Sequence, residues 1–167
     1  MAKNTEVGNI LSIPLENEMF AAAQIVAPSA GGGVFWIAAW SAQFAHREDI
    51  TVELIGQSEP TFFVQTMDAL LYHKIWHVQG WSETKATDYR PAFRRYIEPG
   101  GFFVADVFNN RQRRVIESEI SMLTNEFSKS PAGVASTIHR FSDRENWGEK
   151  DERILIDPKK DVRNFFD

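Results

Sequence analysis

Residues 34–40 read Val-Phe-Trp-Ile-Ala-Ala-Trp, an unbroken apolar run. At the two-residue period of a strand, Val34, Trp36, Ala38 and Trp40 point one way and Phe35, Ile37 and Ala39 the other. Neither side is suited to water. The run is too short to cross a bilayer, so it predicts a central strand with neighbours beside it and cover on both faces. The rest of the chain has to supply those neighbours and that cover.

Pattern supplies most of them. Residues 9–15 form a short apolar strand ending near Pro14, Glu16-Asn17-Glu18 is a polar turn, and residues 19–26 resume with small apolar residues, giving a hairpin. Pro28 to Gly33 reads as a flexible loop. Residues 50–55 alternate and stop at Gly56, residues 61–64 form an aromatic strand after Pro60, and residues 74–79 form another that ends at Gly80. Residues 102–108 follow a Gly-Gly pair. The spacing of Met67, Leu70 and Leu71 predicts a short helical connection within 65–72. This makes about seven strands, in the manner of a meander or partly closed barrel.

Ile116, Ile120, Leu123 and Phe127 recur at helical spacing, so a helix is expected from about 110 to 128, capped by Asn109 or Asn110 and stopped by Ser128 to Pro131. The fold class is therefore α+β: a mostly antiparallel bent sheet or partial barrel with one C-terminal amphipathic helix. Residues 1–141 read as a single globular domain. More than half of residues 142–167 are charged, and they read as a tail packed on the body or partly mobile.

Composition narrows the chemistry. The chain has 167 residues, too few for a (β/α)₈ barrel, and no G-x-G-x-x-G follows a strand. It has no cysteine, which excludes thiol catalysis, disulfides and Cys-based zinc sites. The net charge of −5 argues against a nucleic-acid partner. Residues 1–7 are polar with no signal-peptide core, and no stretch suits a membrane, so a cytoplasmic protein is expected.

Several residues are candidates for chemistry. His73 and His77 are four apart: on a helix they would share a face as a zinc-binding pair, whereas on a strand they would lie roughly 13 Å apart. Asp68 and Asp106, like Glu53, are acids inside otherwise apolar segments, where burial would raise a carboxyl pKa toward that of a general base, unless strand alternation turns them to water. Trp36, Trp40, Trp76 and Trp81 would either line a pocket for an aromatic or alkyl ester or pack as core. Two basic groups, Arg90, Arg94 and Arg95 and then Arg111, Arg113 and Arg114, form a local positive patch suited to an anion, or a solvated face paired with nearby acids.

The segment Val7-Gly8-Asn9-Ile10-Leu11-Ser12-Ile13-Pro14-Leu15, the strand ending Ile25-Val26, and Lys74-Ile75-Trp76-His77-Val78-Gln79-Gly80 together resemble a family of small bacterial proteins. That family is the class 26 immunity proteins and HocA-type phosphotriesterases, with a G-D-x-F-x-I-P-L opening and a later lysine-x-tryptophan-x-valine-x-glycine strand. Asn9 stands where the family has Asp, and Ile10-Leu11 where it has an aromatic. The resemblance spans residues 7–81. It implies hydrolysis of a neutral organophosphate triester by activated water. The resemblance carries over no catalytic set of its own; for that reaction the residues singled out above offer Asp68, Asp106 and His77 as the catalytic groups, with the four tryptophans, Arg94 and Arg114 around the substrate. A divalent metal such as zinc on His73 and His77 is one route; a metal-free route with an acid or His base and an Arg electrophile is the other. The alternative implication is an immunity protein that binds and neutralises a cognate toxin without catalysis.

Overall fold

A computed structural model describes residues 5–28, 32–83, 89–142 and 144–166. Part of the expected Pro28–Gly33 loop, residues 29–31, lies outside them. The fold is α+β, with two sheets that do not close into a barrel. By contacts the chain divides into two compact units, residues 1–86 with 128–155, and residues 87–127 with 156–167. Among the described residues no helix is long and apolar enough to cross a membrane.

The first unit is built on a five-stranded antiparallel sheet of β1 (Asn9–Pro14), β2 (Phe20–Pro28), β3 (Val34–Phe44), β4 (Phe62–Met67) and β5 (His77–Trp81), in the order β4-β3-β2-β1-β5. The apolar run at residues 34–40 opens β3, between β2 and β4, and Phe35 to Ala39 are buried on both faces. The centre of the sheet is made of alanine: Ala21, Ala22, Ala23, Ala38 and Ala39 have no exposed surface. Larger side chains flank them. The row through Leu11, Ala23 and Ala39 ends on Phe62.

Each face of this sheet has its own cover. On the side of Ile10, Ala22 and Trp40 lie Ile50 and the helix α1 (Val52–Gly56), whose Ile55 enters the core. Residues 50–55 are thus not the expected strand. Thr51 accepts a hydrogen bond from the Leu54 amide at 3.3 Å, and this N-cap turns the chain into a helix that buries Ile55 and half-buries Val52. A four-residue helix, α2 (Ala69–Tyr72), fills the expected helical connection after β4.

The expected helix over 110–128 is replaced by three pieces of the second unit: β8 (Arg111–Arg114), α3 (Glu117–Ile120) and β9 (Thr124–Asn125). They complete a sheet with β6 (Phe93–Ile97) and β7 (Gly101–Asp106), ordered β8-β7-β6-β9, in which only the β6–β9 pair is parallel. The stripe fails because its members separate, Ile116 being exposed and Leu123 buried. The arginines are held in extended backbone by partners on both sides, Arg111 by Asp106 at 2.9 Å and Arg113 by Glu119 at 2.6 Å. On one face of the second unit Ala92, Val104 and Leu123 pack with Val162 and with Phe165, which belongs to α6 (Arg163–Phe166).

The amphipathic helix lies further on, as α4 (Pro131–Arg140). Ser130 and Pro131, expected to stop a helix, start one: the Ser130 hydroxyl accepts from the Gly133 amide at 3.1 Å, and Pro131 occupies the first turn, where it has no amide to waste. α4 contacts β3 and β4, and Phe141 at its end meets Phe62 edge to face at 5.2 Å. The chain then returns through α5 (Glu149–Glu152) to pair with the outer edge of β4, where the Phe63 amide donates to the Ile154 carbonyl at 2.7 Å.

Asp151 ties α5 to α4. It accepts from Lys129 Nζ at 2.9 Å, Thr137 Oγ1 at 2.9 Å and Arg140 at 3.0 Å through one oxygen, and from the Gly148 amide through the other. Burial pushes this carboxyl up, but the hydrogen bonds from Lys129, Thr137 and Gly148 outweigh it and hold the pKa at about 2. Asp151→Ala is expected to cost about 2 kcal/mol of stability at pH 7. A folded pKa below the unfolded value means this stabilisation is complete above about pH 5 and lost as the pH falls toward 2. Urea unfolding at pH 7, 5 and 3 should therefore show the gap between wild type and variant narrowing only at the lowest pH.

Candidate functional site

Three of the four tryptophans are core. Trp40 packs with Ile10, Ala22, Ile50 and Ile55 and donates its ring N–H to the Ser58 carbonyl at 3.2 Å. Trp36 is buried and stacks on Phe63 at 5.6 Å. Trp76 is 2% exposed, and its ring nitrogen is buried without a hydrogen-bond partner. Trp81 alone of the four reaches the surface.

The expected acids, histidines and arginines fall in different settings. Asp106 belongs to the second unit and is engaged in the β7–β8 turn, accepting from the Phe108 and Asn109 amides, the Asn109 side chain and Arg111. Burial pushes its carboxyl up, and those hydrogen bonds more than reverse that and hold it below the usual carboxylate range. It is an ionised turn residue, unlike a base poised near neutrality. Arg94, also in the second unit, donates to Asn125 and the Ile120 carbonyl, and its guanidinium lies 5.2 Å over the Phe102 ring. Arg114 is exposed, 6.0 Å over Phe103.

His73 comes directly after α2, exposed and edge-on to Tyr72 at 5.2 Å. His77 opens β5 opposite Ser12, half-buried. Lys74 sits between them with φ +56°, so the two histidines share neither a helix nor a strand. Among the described residues no three His, Asp or Glu side chains converge to hold a metal ion. Asp68, the residue before α2, has its backbone tied to Gly33 and its carboxylate directed at a small cleft.

What the structure does assemble at the surface is the rim formed by β1 and β5. In their register Asn9 faces Trp81, Ile10 faces Gly80, Leu11 faces Val78 and Ser12 faces His77. Gln79 is an extra residue, a β-bulge. Val78 and Trp81 would point to opposite faces of a regular strand. The bulge brings both to the face of Asn9 and Leu11, where they are 40% and 53% exposed.

Gly8 makes this possible. Its φ of +98° favours glycine, and a Cβ there would collide with the Trp81 indole and sit 2.6 Å from the Ser82 carbonyl oxygen. The indole lies across the bare backbone and donates to the Val7 carbonyl at 3.0 Å. Beneath, the fully buried Gln24 amide donates to the Gly8 carbonyl and to Ser82, clamping the start of β1 to the end of β5. Sequence reasoning found Trp81 and missed Gly8, Gln79 and Val78 as its companions. The available signal was a glycine beside each strand's end, Gly8 and Gly80, with Trp81 adjacent to one of them.

No protein-family model matches the chain, and neither a curated protein nor a solved structure matches it. Gly8→Ala is expected to lose about 1–3 kcal/mol, from the positive φ and the collision together. The indole would be displaced into water, and a red shift in tryptophan emission, compared with that of Trp81→Phe, checks it.

Proposed function

We propose that the protein acts by binding another protein, the non-catalytic role implied by the immunity branch of the resemblance, and that the β1–β5 rim is its contact surface. The single observation carrying this is the bulge at Gln79, which places Val78 and Trp81 on the same side of the edge strand, both of them exposed. Tryptophan is among the residues that dominate protein interfaces, because a large ring is desolvated at little entropic cost. A bulged edge also discourages indiscriminate strand pairing, so the rim favours recognition by side chains.

Charge supports the same reading. The whole net charge of −5 falls in the first unit, the second being neutral. Glu6 and Glu83 are exposed and close in sequence to Val7 and Trp81. A partner with an apolar anchor bordered by lysine or arginine would be steered to this unit. The setting proposed is the cytoplasm, which a chain without cysteine suits.

The test has two arms. Co-expression with the toxic product of a gene flanking its own should restore bacterial growth. Val78→Ser with Trp81→Ser should abolish the rescue and weaken binding at least tenfold, with the unfolding midpoint kept. In the other arm, the purified protein is stripped by chelator and then given zinc, with a chromogenic phosphotriester as substrate. It should show no turnover above buffer. Hydrolysis at fixed metal stoichiometry, or rescue untouched by the rim substitutions, would overturn the proposal.

A further inference from the structure

A cleft of about 170 Å³ opens where β2 leaves and β3 begins, with Pro28, Gly33, Val34, Phe35 and Asp68 among its walls. We propose that it is a binding site for a primary alkylammonium group, of the size and charge of a lysine side chain. The inference is independent of whether the rim binds a protein.

The position of the acid is fixed while, among the described residues, its charge is left unused. The Asp68 amide donates to the Gly33 carbonyl at 2.9 Å, and its own carbonyl accepts from Tyr72 at 2.9 Å. Among the described residues the carboxylate itself caps no amide of α2 and has no ion pair, although the residue is half-buried. Its Oδ1 lies 3.4 Å from where a Cβ on Gly33 would stand, and Gly33 has φ +79°. Glycine at that position therefore leaves the space in front of the carboxylate open.

The walls choose the ligand. Asp68 is the sole charged residue among the described walls, so an anion is repelled, and one carboxylate falls short of the oxygen set that calcium or magnesium requires. Pro28 and Val34 offer apolar surface for a methylene stem. The volume of about 170 Å³ suits a small ligand. A four-carbon ammonium ion is such a ligand, with the charge at one end to meet Asp68 and the chain to lie along the walls.

The experiment is a titration of the full chain with n-butylammonium chloride, followed by amide chemical shifts, against n-butanol and against sodium chloride at equal ionic strength. The expected result is a saturable one-to-one shift at Gly32, Gly33 and Asp68, with a dissociation constant on the order of millimolar. n-Butanol should bind at least tenfold more weakly, and Asp68→Asn should lose at least tenfold. If Asp68→Asn misfolds by its own spectrum, Asp68→Ser, which keeps a short polar residue before α2, takes its place with the same expectation. Three outcomes would overturn the proposal: no shift, equal binding of n-butanol, or shifts spread over the acidic surface that sodium chloride reproduces.

Discussion

The first unit depends on a sheet that cannot tolerate water on either side. β2 and β3 carry alanine at their centres and larger apolar residues around it, so the two strands are useful to the fold only when both faces are covered. At about 25 cal/mol per Å² of apolar surface, leaving either face open would forfeit more than a small domain has to spare. The chain answers with Ile50 and Ile55 on one face and with Phe141, at the end of α4, against Phe62 of the other face's row. That need explains why residues 128–155 return to the first unit after the excursion through the second. Alanine in the middle lets covering side chains approach closely, and Asp151 then holds α5 to α4 with a carboxylate whose oxygens are both satisfied.

The parts of the fold legible in the sequence are those whose period is decided within the segment. The two-sided run became β3, the Glu16–Glu18 turn joined a true hairpin, and the short helix was found between β4 and β5. The misread segments are those decided elsewhere. Residues 50–55 satisfy both periods, and a single Thr51 cap selects the helix. Residues 111–114 read as the charged start of a helix, yet Asp106 and Glu119 make them a strand, and neither partner is identifiable from local pattern. Ser130-Pro131 is the clearest lesson. Serine before proline is as good a start as a stop, and the apolar spacing of Val134 and Ile138 beyond the pair decides for a start.

The site shows the same division. Trp36, Trp40 and Trp76 were visible as rings, but whether a ring lines a pocket or fills a core depends on the covers, which are long-range. Asp106 was visible as an acid among apolar residues, and its burial is real. The Asn109 and Arg111 groups that satisfy it are only three and five residues away, so an Asx-type turn was within reach of sequence reasoning. A bulge leaves almost no local signature. The role of Gln79 emerges only when β5 is set against β1.

The two edges of the sheet are treated differently, and the contrast bears on function. At β4 the returning chain pairs with the edge, through the Phe63 amide on the Ile154 carbonyl and the Lys129 amide on the Gln65 carbonyl. At β5 the protection is a bulge, which spoils the edge as a template for pairing while leaving its side chains in view. If blunting were its only purpose, a charged residue would serve as well, yet β5 has no Lys, Arg, Asp or Glu and holds Val78 and Trp81 in the open, one of them over a glycine that has to stay bare. An exposed arrangement that requires a positive-φ glycine, a buried glutamine clamp and a bulge is a heavy set of constraints to keep for solubility alone. The partner-binding role proposed for this rim would give those three requirements one purpose.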